Sequence, residues 1–275
     1  MTLTSSRGLR ADTVSVAYGS STAVDRASLR LPRGQVSVLI GPNGSGKSTL
    51  LRGIASLQPM ASGSVDIDGV STRALSRREL ARRLTMLTQG RPTPAGLTVR
   101  EVVEFGRHPY RGRWRANDTD GREAVDRALA LTEVAELHDR DVDTLSGGQL
   151  QRVWLAACLA QDTDVLLLDE PTTYLDLRHQ VELLSLIRSL AATHSVTVGV
   201  VLHDLNQAAD IADHVVLLHE GQIVAAGAPS AVLDPQTLTR VYEIPITVVH
   251  DPVDDVVTIA PQRARRDLDT PSAQD

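Results

Sequence analysis

Apolar and polar positions alternate in two short stretches near the start of the chain, Val14 to Tyr18 and Ser28 to Leu31, with Gly19, Ser20 and Ser21 between them. A period of two interrupted by turn residues predicts a pair of antiparallel strands. The pattern then changes. Val36 to Ile40 is a short, mostly apolar run that ends in glycines, and Leu50, Leu51, Ile54 and Leu57 follow at helical spacing, so strand, turn and helix are predicted. The same succession recurs twice. Val165 to Leu168 precedes a helix carrying Leu183, Leu184, Ile187 and Leu190, and Val196 to Leu202 precedes a helix from about Asp204. Mostly apolar strands that alternate with helices predict a parallel sheet covered by helices.

The segment from Gly90 to Ala157 has a different texture. It opens with the loop-forming Arg91-Pro92-Thr93-Pro94-Ala95-Gly96 and reads as helical around Val99 to Phe105 and Arg122 to Leu137, which predicts a helical insertion into the sheet domain. Later, His214 to Leu218, the turn Glu220-Gly221 and Gln222 to Ala226 predict a hairpin. From Ala260 to Asp275 the chain is rich in arginine and aspartate and poor in apolar residues, so a frayed tail is expected.

Composition narrows the class. With 275 residues, 42% hydrophobic and 23% charged, the chain can bury a substantial core and is not a disordered polymer. Its longest apolar run, Val153 to Ala160, falls far short of the roughly 20 residues needed to cross a bilayer, and no apolar segment follows Arg7 and Arg10 as in a secretory signal. The lone cysteine, Cys158, can form neither an internal disulfide nor a thiolate metal cage; a reducing compartment and a buried apolar-face role are expected. A formal net charge of -6 argues against nucleic acid as a general partner.

One compositional bias points to chemistry. Of 28 basic residues a single one, Lys47, is lysine. A site that needs a compact point charge would keep lysine against such a bias, because the planar guanidinium fork is no substitute. Lys47 lies in Gly41-Pro42-Asn43-Gly44-Ser45-Gly46-Lys47-Ser48, which fits G-x-x-x-x-G-K-[ST] between a predicted strand and a predicted helix, with Thr49 next in line. Glycines let successive backbone N–H groups converge on an anion, and the following helix adds the positive end of its dipole. Lys47 is expected to reach the terminal phosphates of a nucleotide and Ser48 to ligate Mg²⁺. The dinucleotide fingerprint G-x-G-x-x-G fails here, since Thr49 stands where it needs glycine or alanine.

Two further groups complete the chemistry. Asp169 and Glu170 end the strand Val165 to Leu168, and adjacent strand residues point to opposite sides. Asp169 is expected in the Mg²⁺ shell, leaving Glu170 to polarise a water in line with the γ-phosphate. Leu145-Ser146-Gly147-Gly148-Gln149 opens a second helix, with Leu150, Val153, Trp154, Ala157 and Cys158 at helical spacing, and so offers a second anion-binding turn in Ser146, Gly147, Gly148 and Gln149.

With these motifs in place, the chain from about Leu9 to Val249 resembles the nucleotide-binding ATPase subunits of ATP-binding cassette transporters. The resemblance implies an α/β fold: a P-loop NTPase (RecA-like) parallel sheet core with an N-terminal antiparallel β subdomain and an inserted α-helical subdomain. It further implies one domain over residues 1–259, its β and core parts at 1–90 and 158–245, its helical part at 91–157, and a tail at 260–275. By position, Tyr18 resembles the aromatic that stacks on adenine, Gln89 the glutamine that touches Mg²⁺ and the attacking water, and His203 the switch histidine. Thr173-Tyr174-Leu175-Asp176 matches the loop that crosses between subunits. The resemblance also implies a second copy of the chain paired across ATP, membrane permease subunits, an extracytoplasmic substrate-binding protein acting indirectly, and a peripheral place on the cytoplasmic face of the membrane.

Within that family, Gly106-Arg107-His108-Pro109-Tyr110 with Trp114, Leu202 to Ala208, and Asp251-Pro252-Val253 are similar to stretches in ATPases of ferric-siderophore importers of the ferric enterobactin type. Importers of haem, cobalamin or another metal chelate share much of this pattern, and a non-transport cassette in DNA repair or translation and a small-molecule kinase stand as the remaining readings. Two arginine groups, at 77, 78, 82 and 83 and at 107, 111, 113 and 115, are expected to be solvated faces, with lipid head groups or an acidic partner surface as the alternative.

Overall fold

A computed structural model describes residues 7–91, 93–111, 118–173, 175–251 and 256–262. The alternating N-terminal pattern forms β1 (Gly8–Tyr18) and β2 (Ser21–Pro32), an antiparallel pair closed at Tyr18 and Ser21 and longer than the alternation alone predicts. After β3 (Val36–Ile40) and α1 (Lys47–Ile54) come β4 (Ser62–Ile67) and β5 (Val70–Ser71), which extend the first sheet in the order β2-β1-β4-β5. Leu57 does not continue α1: the helix ends at Ile54, and Leu57 is 60% exposed.

The short helix α2 (Arg77–Ala81) leads into β6 (Leu84–Leu87). The insertion follows as α3 (Val99–Glu104), α4 (Gly121–Leu131) and α5 (Gly147–Ala160), which enclose Val102, Val125, Leu129, Val153 and Ala156 in a core of their own. Helix α5 also packs Leu155 and Cys158 into the main core, so the boundary expected at 157 lies inside a continuous helix. The remaining elements are β7 (Val165–Asp169), α6 (Leu177–His194), β8 (Thr197–Val201), α7 (Leu205–Ile211), β9 (His214–His219), β10 (Gln222–Gly227), α8 (Pro229–Val232), α9 (Pro235–Tyr242), β11 (Ile246–Asp251) and β12 (Val256–Pro261).

Among the described residues the second sheet runs β10-β9-β3-β8-β7-β6, parallel except at β10. Every residue of β3, β7 and β8 is buried, as the near-continuous apolar runs require of strands covered on both faces. On one face lie α6, α7 and α9; on the other, α1 and the antiparallel sheet. The register decides where the site can be. Leu39 pairs with Val201, Leu168 with Val200 and Leu87 with Leu168, so β3, β8, β7 and β6 end side by side at one edge. Gly41, His203, Glu170 and Gln89 each follow one of these strands within two residues, and that carboxyl edge is where open α/β sheets bind ligands.

Two expectations change. The tail does not begin at Ala260, because Ala260 and Pro261 close β12 by pairing with Thr247 and Ile246; residues 263–275 lie outside the described residues. Arg107 is not on a solvated face. It is 4% exposed, donates to both oxygens of Asp118 at 2.8 and 2.6 Å and to Ala160 O at 2.9 Å, and stacks on the Tyr110 ring. Arg78 and Arg82 likewise donate to Pro109 O, at 2.6 and 3.1 Å, and so pin α2 to this loop. Arg113, Trp114, Arg115, Tyr174, Pro252 and Val253 fall outside the described residues.

Candidate functional site

The glycine-rich turn between β3 and α1 is built for close approach. Gly41 has φ +147, and a Cβ there would lie 2.1 Å from Leu218 O, so no other residue fits without moving β9. Gly46 caps α1 in the left-handed region at φ 97 with no side-chain acceptor, which leaves the first turn of the helix open to an anion. Lys47 is 4% exposed, and its ammonium donates to Gly41 O at 2.8 Å and Pro42 O at 2.9 Å. Burial lowers its pKa, and the nearby carboxylates of Glu170 and Asp169 oppose that shift.

Asp169 ends β7 with a fully buried side chain. Its Oδ1 accepts from Ser48 Oγ at 2.6 Å and its Oδ2 from Arg52 Nη2 at 3.2 Å. Arg52 is a site residue that motif reading passes over; its spacing four residues after Ser48, on the same helix face, is the signal that could have found it. Two hard oxygens, one hydroxyl and one carboxylate, thus meet beside the anion turn, a donor set that suits Mg²⁺.

Glu170 lies beyond the strand. Its φ of 53 puts it in the left-handed region, so it diverges from Asp169 because the backbone turns, and not through strand alternation as expected. The turned carboxylate meets groups from two other strand ends. Oε2 accepts from Gln89 Nε2 at 2.8 Å, and Oε1 lies 2.5 Å from His203 Nε2. Thr173 Oγ1 adds a longer donor at 3.4 Å to Oε2. A general base with its orienting groups requires such an arrangement.

The second turn is self-contained. Ser146 caps α5, its Oγ accepts from Gln149 N at 3.3 Å, and Gln149 Oε1 accepts from Ser146 N at 3.1 Å, a reciprocal capping box. Gly147 is exposed, with open space where a Cβ would stand. Among the described residues no hydrogen bond joins 146–149 to 41–49. Tyr18, at the tip of β1, is 48% exposed, while Ala23 and Val24 of the paired strand press against Gly46.

Comparison with known proteins now decides the family: the model described as ABC transporter matches residues 24–173. The chain belongs to the ABC transporter family. This cassette is 42% identical over 256 residues to the ferric enterobactin transport ATP-binding protein FepC of Escherichia coli (strain K12), spanning 92% of this chain and 93% of that one. It is 43% identical to the probable siderophore transport system ATP-binding protein YusV of Bacillus subtilis (strain 168), spanning 88% of each chain. Among solved structures, the dimeric bacterial ABC transporter cassette MJ0796 matches the cassette with a TM-score of 0.70 and 28% identity, covering 80% of this chain and 98% of that one. The α/β fold expected from the sequence is the fold of these ABC cassettes.

Proposed function

We propose that this cassette hydrolyses ATP as one half of a two-copy assembly beneath a membrane permease, and that it energises uptake of a ferric siderophore. The observation that carries the reading is Glu170, held between Gln89 at 2.8 Å and His203 at 2.5 Å at the sheet edge where the Lys47 turn opens. Residues 41–49 receive the phosphates, with Lys47 leaving Gly41 O and Pro42 O for the terminal phosphates, and Tyr18 offers its exposed ring to adenine. Ser48, Asp169 and Gln89 are the residues that would hold Mg²⁺, which supplies charge neutralisation at the phosphates. Glu170 takes a proton from the attacking water as its oxygen bonds to the γ-phosphorus and the bond to the β–γ bridging oxygen breaks; His203 orients that carboxylate.

The exposed Gly147 at the start of α5 suits the triphosphate held by a second copy. A shared site accounts for two anion turns that no hydrogen bond joins within one chain, and an isologous pairing uses the same patch twice. For the permease, a cleft of about 670 Å³ opens between α2, β6 and α5, lined by Leu57, Leu80, Met86, Phe105 and Trp154 with Arg77 at its rim. Among the described residues no helix is long and apolar enough to cross a membrane, so the membrane passage belongs to that partner. An extracytoplasmic binding protein would deliver the substrate, and the protein would sit on the cytoplasmic face without nucleic acid.

The siderophore assignment rests on what FepC and YusV are named for. It is tested in a strain deleted for the gene: the wild-type chain is expected to restore uptake of a ferric siderophore and Glu170→Gln is not. Restored uptake of haem or cobalamin alone would replace the substrate while keeping the ATPase.

A further inference from the structure

The loop between Glu170 and α6 is gripped by three glutamines, each from a different helix. From α5, Gln151 Nε2 donates to Pro171 O at 2.9 Å. From α6, Gln180 Nε2 donates to Leu175 O at 3.0 Å and Thr172 O at 3.4 Å. From α7, Gln207 Nε2 donates to Gln180 Oε1 at 2.8 Å, and Gln207 Oε1 accepts from Thr172 Oγ1 at 3.3 Å. Thr172 is buried, at 8% exposure, so these polar contacts lie where water cannot readily replace them.

The origin of each element matters. Helix α5 starts at the Ser146 turn, α7 starts just after His203, and the gripped loop starts at Glu170. We propose that Gln207, acting through Gln180 and Thr172, is a positioning residue for ATP hydrolysis: it ties the loop behind Glu170 to the helix behind His203 and so preserves the 2.5 Å approach of carboxylate and imidazole. This rests on the reading of Glu170 as the base.

The chemistry of the amide suits the task. Pro171 has no N–H, and the loop carbonyls need donors that the loop itself cannot fully supply. A glutamine reaches from a helix and carries both donor and acceptor, so one side chain can hand a contact to the next. It is also neutral, so it grips the loop that follows Glu170 without adding a charge to it. Helix α7 is fixed from its other side by Asn206, which donates to Ile259 O at 3.1 Å and accepts from Ile259 N at 2.7 Å. With α7 anchored to β12, loss of the Gln207 contact falls on the loop and hence on Glu170.

The test is a double-mutant cycle on the purified full chain, with steady-state ATP hydrolysis, binding of a fluorescent ATP analogue and thermal unfolding as readouts. Gln207→Leu and Gln180→Leu are each expected to lower kcat on the order of tenfold, the scale of a sub-ångström misplacement, with KM for ATP and analogue binding held within about twofold. The double variant is expected to lose less than the product of the two single losses, since the contact between the two glutamines is counted in both. An unchanged kcat, a loss confined to KM, or multiplicative losses in the double variant would overturn the proposal. If Gln207→Leu does not fold, Gln207→Glu keeps the length and the acceptor for Thr172 but loses the donor to Gln180; it must still lower kcat with KM held, and normal turnover overturns the proposal equally. Glu170→Gln run in parallel separates the failures: normal hydrolysis there removes the base itself, whereas its loss beside an unaffected Gln207 variant removes only the tie.

Discussion

Glu170 Oε1 and His203 Nε2 lie 2.5 Å apart although each follows a different strand of the parallel sheet. Asp169 pairs with Val201 in the ladder, so Glu170 and His203 extend a register that is already aligned, and the left-handed turn at Glu170 swings its carboxylate toward the imidazole. Removing His203 leaves the carboxylate with Gln89 and the distant Thr173. His203→Ala is therefore expected to lower kcat on the order of 100-fold, while Glu170→Gln combined with His203→Ala is no slower than Glu170→Gln alone, because groups that act as a unit are not additive. Independent, multiplying losses in steady-state assays would separate the two residues.

Glu170→Gln keeps the shape of the side chain and removes its basicity. Hydrolysis should fall at least about 100-fold with nucleotide binding intact. Because ATP then persists, the variant is expected to shift from monomer to dimer on a sizing column when ATP is added, and a double substitution with Ser146→Arg should abolish the shift. A dimer that forms regardless of the Ser146 turn would contradict the shared site.

Gly41→Ala probes the anion turn without touching its charges. At φ +147, and with the new Cβ 2.1 Å from Leu218 O, the turn must shift, so stability is expected to drop by about 2 kcal/mol and the affinity for ATP to fall with it. Chemical denaturation and analogue binding measure the two effects; an unchanged affinity would mean the turn's shape is not what holds phosphate.

Arg107 and Asp118 make a prediction about folding alone. The Arg107 guanidinium holds the Asp118 carboxyl below its ordinary value, and Asp118 is the carboxylate that meets the buried arginine with two hydrogen bonds. Asp118→Asn should cost about 3 kcal/mol by stranding that buried charge. A carboxyl whose pKa is lower folded than unfolded contributes stability at pH values above its unfolded value near 3.9, and that contribution disappears as pH falls through the lower folded value. Wild type should therefore lose part of its stability below about pH 4 that Asp118→Asn has already lost, a difference that unfolding midpoints against pH would reveal.

What could be read in advance follows the range of the contacts. Residues 41–49, 145–149 and the Asp169-Glu170 pair are contiguous, and their spacing carries the proposed chemistry, so they stand out in the sequence as candidates. The elements β3, α1, β7, α6 and β8 were equally plain, because burial on both faces leaves mostly apolar strands. The rest depends on side chains that meet from far apart in the chain. Gln151, Gln180 and Gln207 look like ordinary polar helix positions until the sheet brings their helices around one loop. Arg107 looks like one of several surface cations until Asp118 and Ala160 O close on it. The turn at Glu170 is invisible to a strand pattern, since the left-handed conformation belongs to the backbone and glutamate does not announce it. The end of the hairpin β11 and β12 is obscured for a related reason: Ala260 and Pro261 adjoin the arginine- and aspartate-rich tail and read as part of it until the ladder is seen.

Lys47 is the chain's only lysine, and its nitrogen rests between two carbonyls in the floor of the anion turn. Any reagent that acylates amines consequently has one side chain to find besides the amino terminus. Covalent labelling read on the peptide that carries Lys47, with the amino-terminal peptide as its reference, thereby becomes a gauge of how accessible that nitrogen is with and without an occupant, and needs no engineered tag.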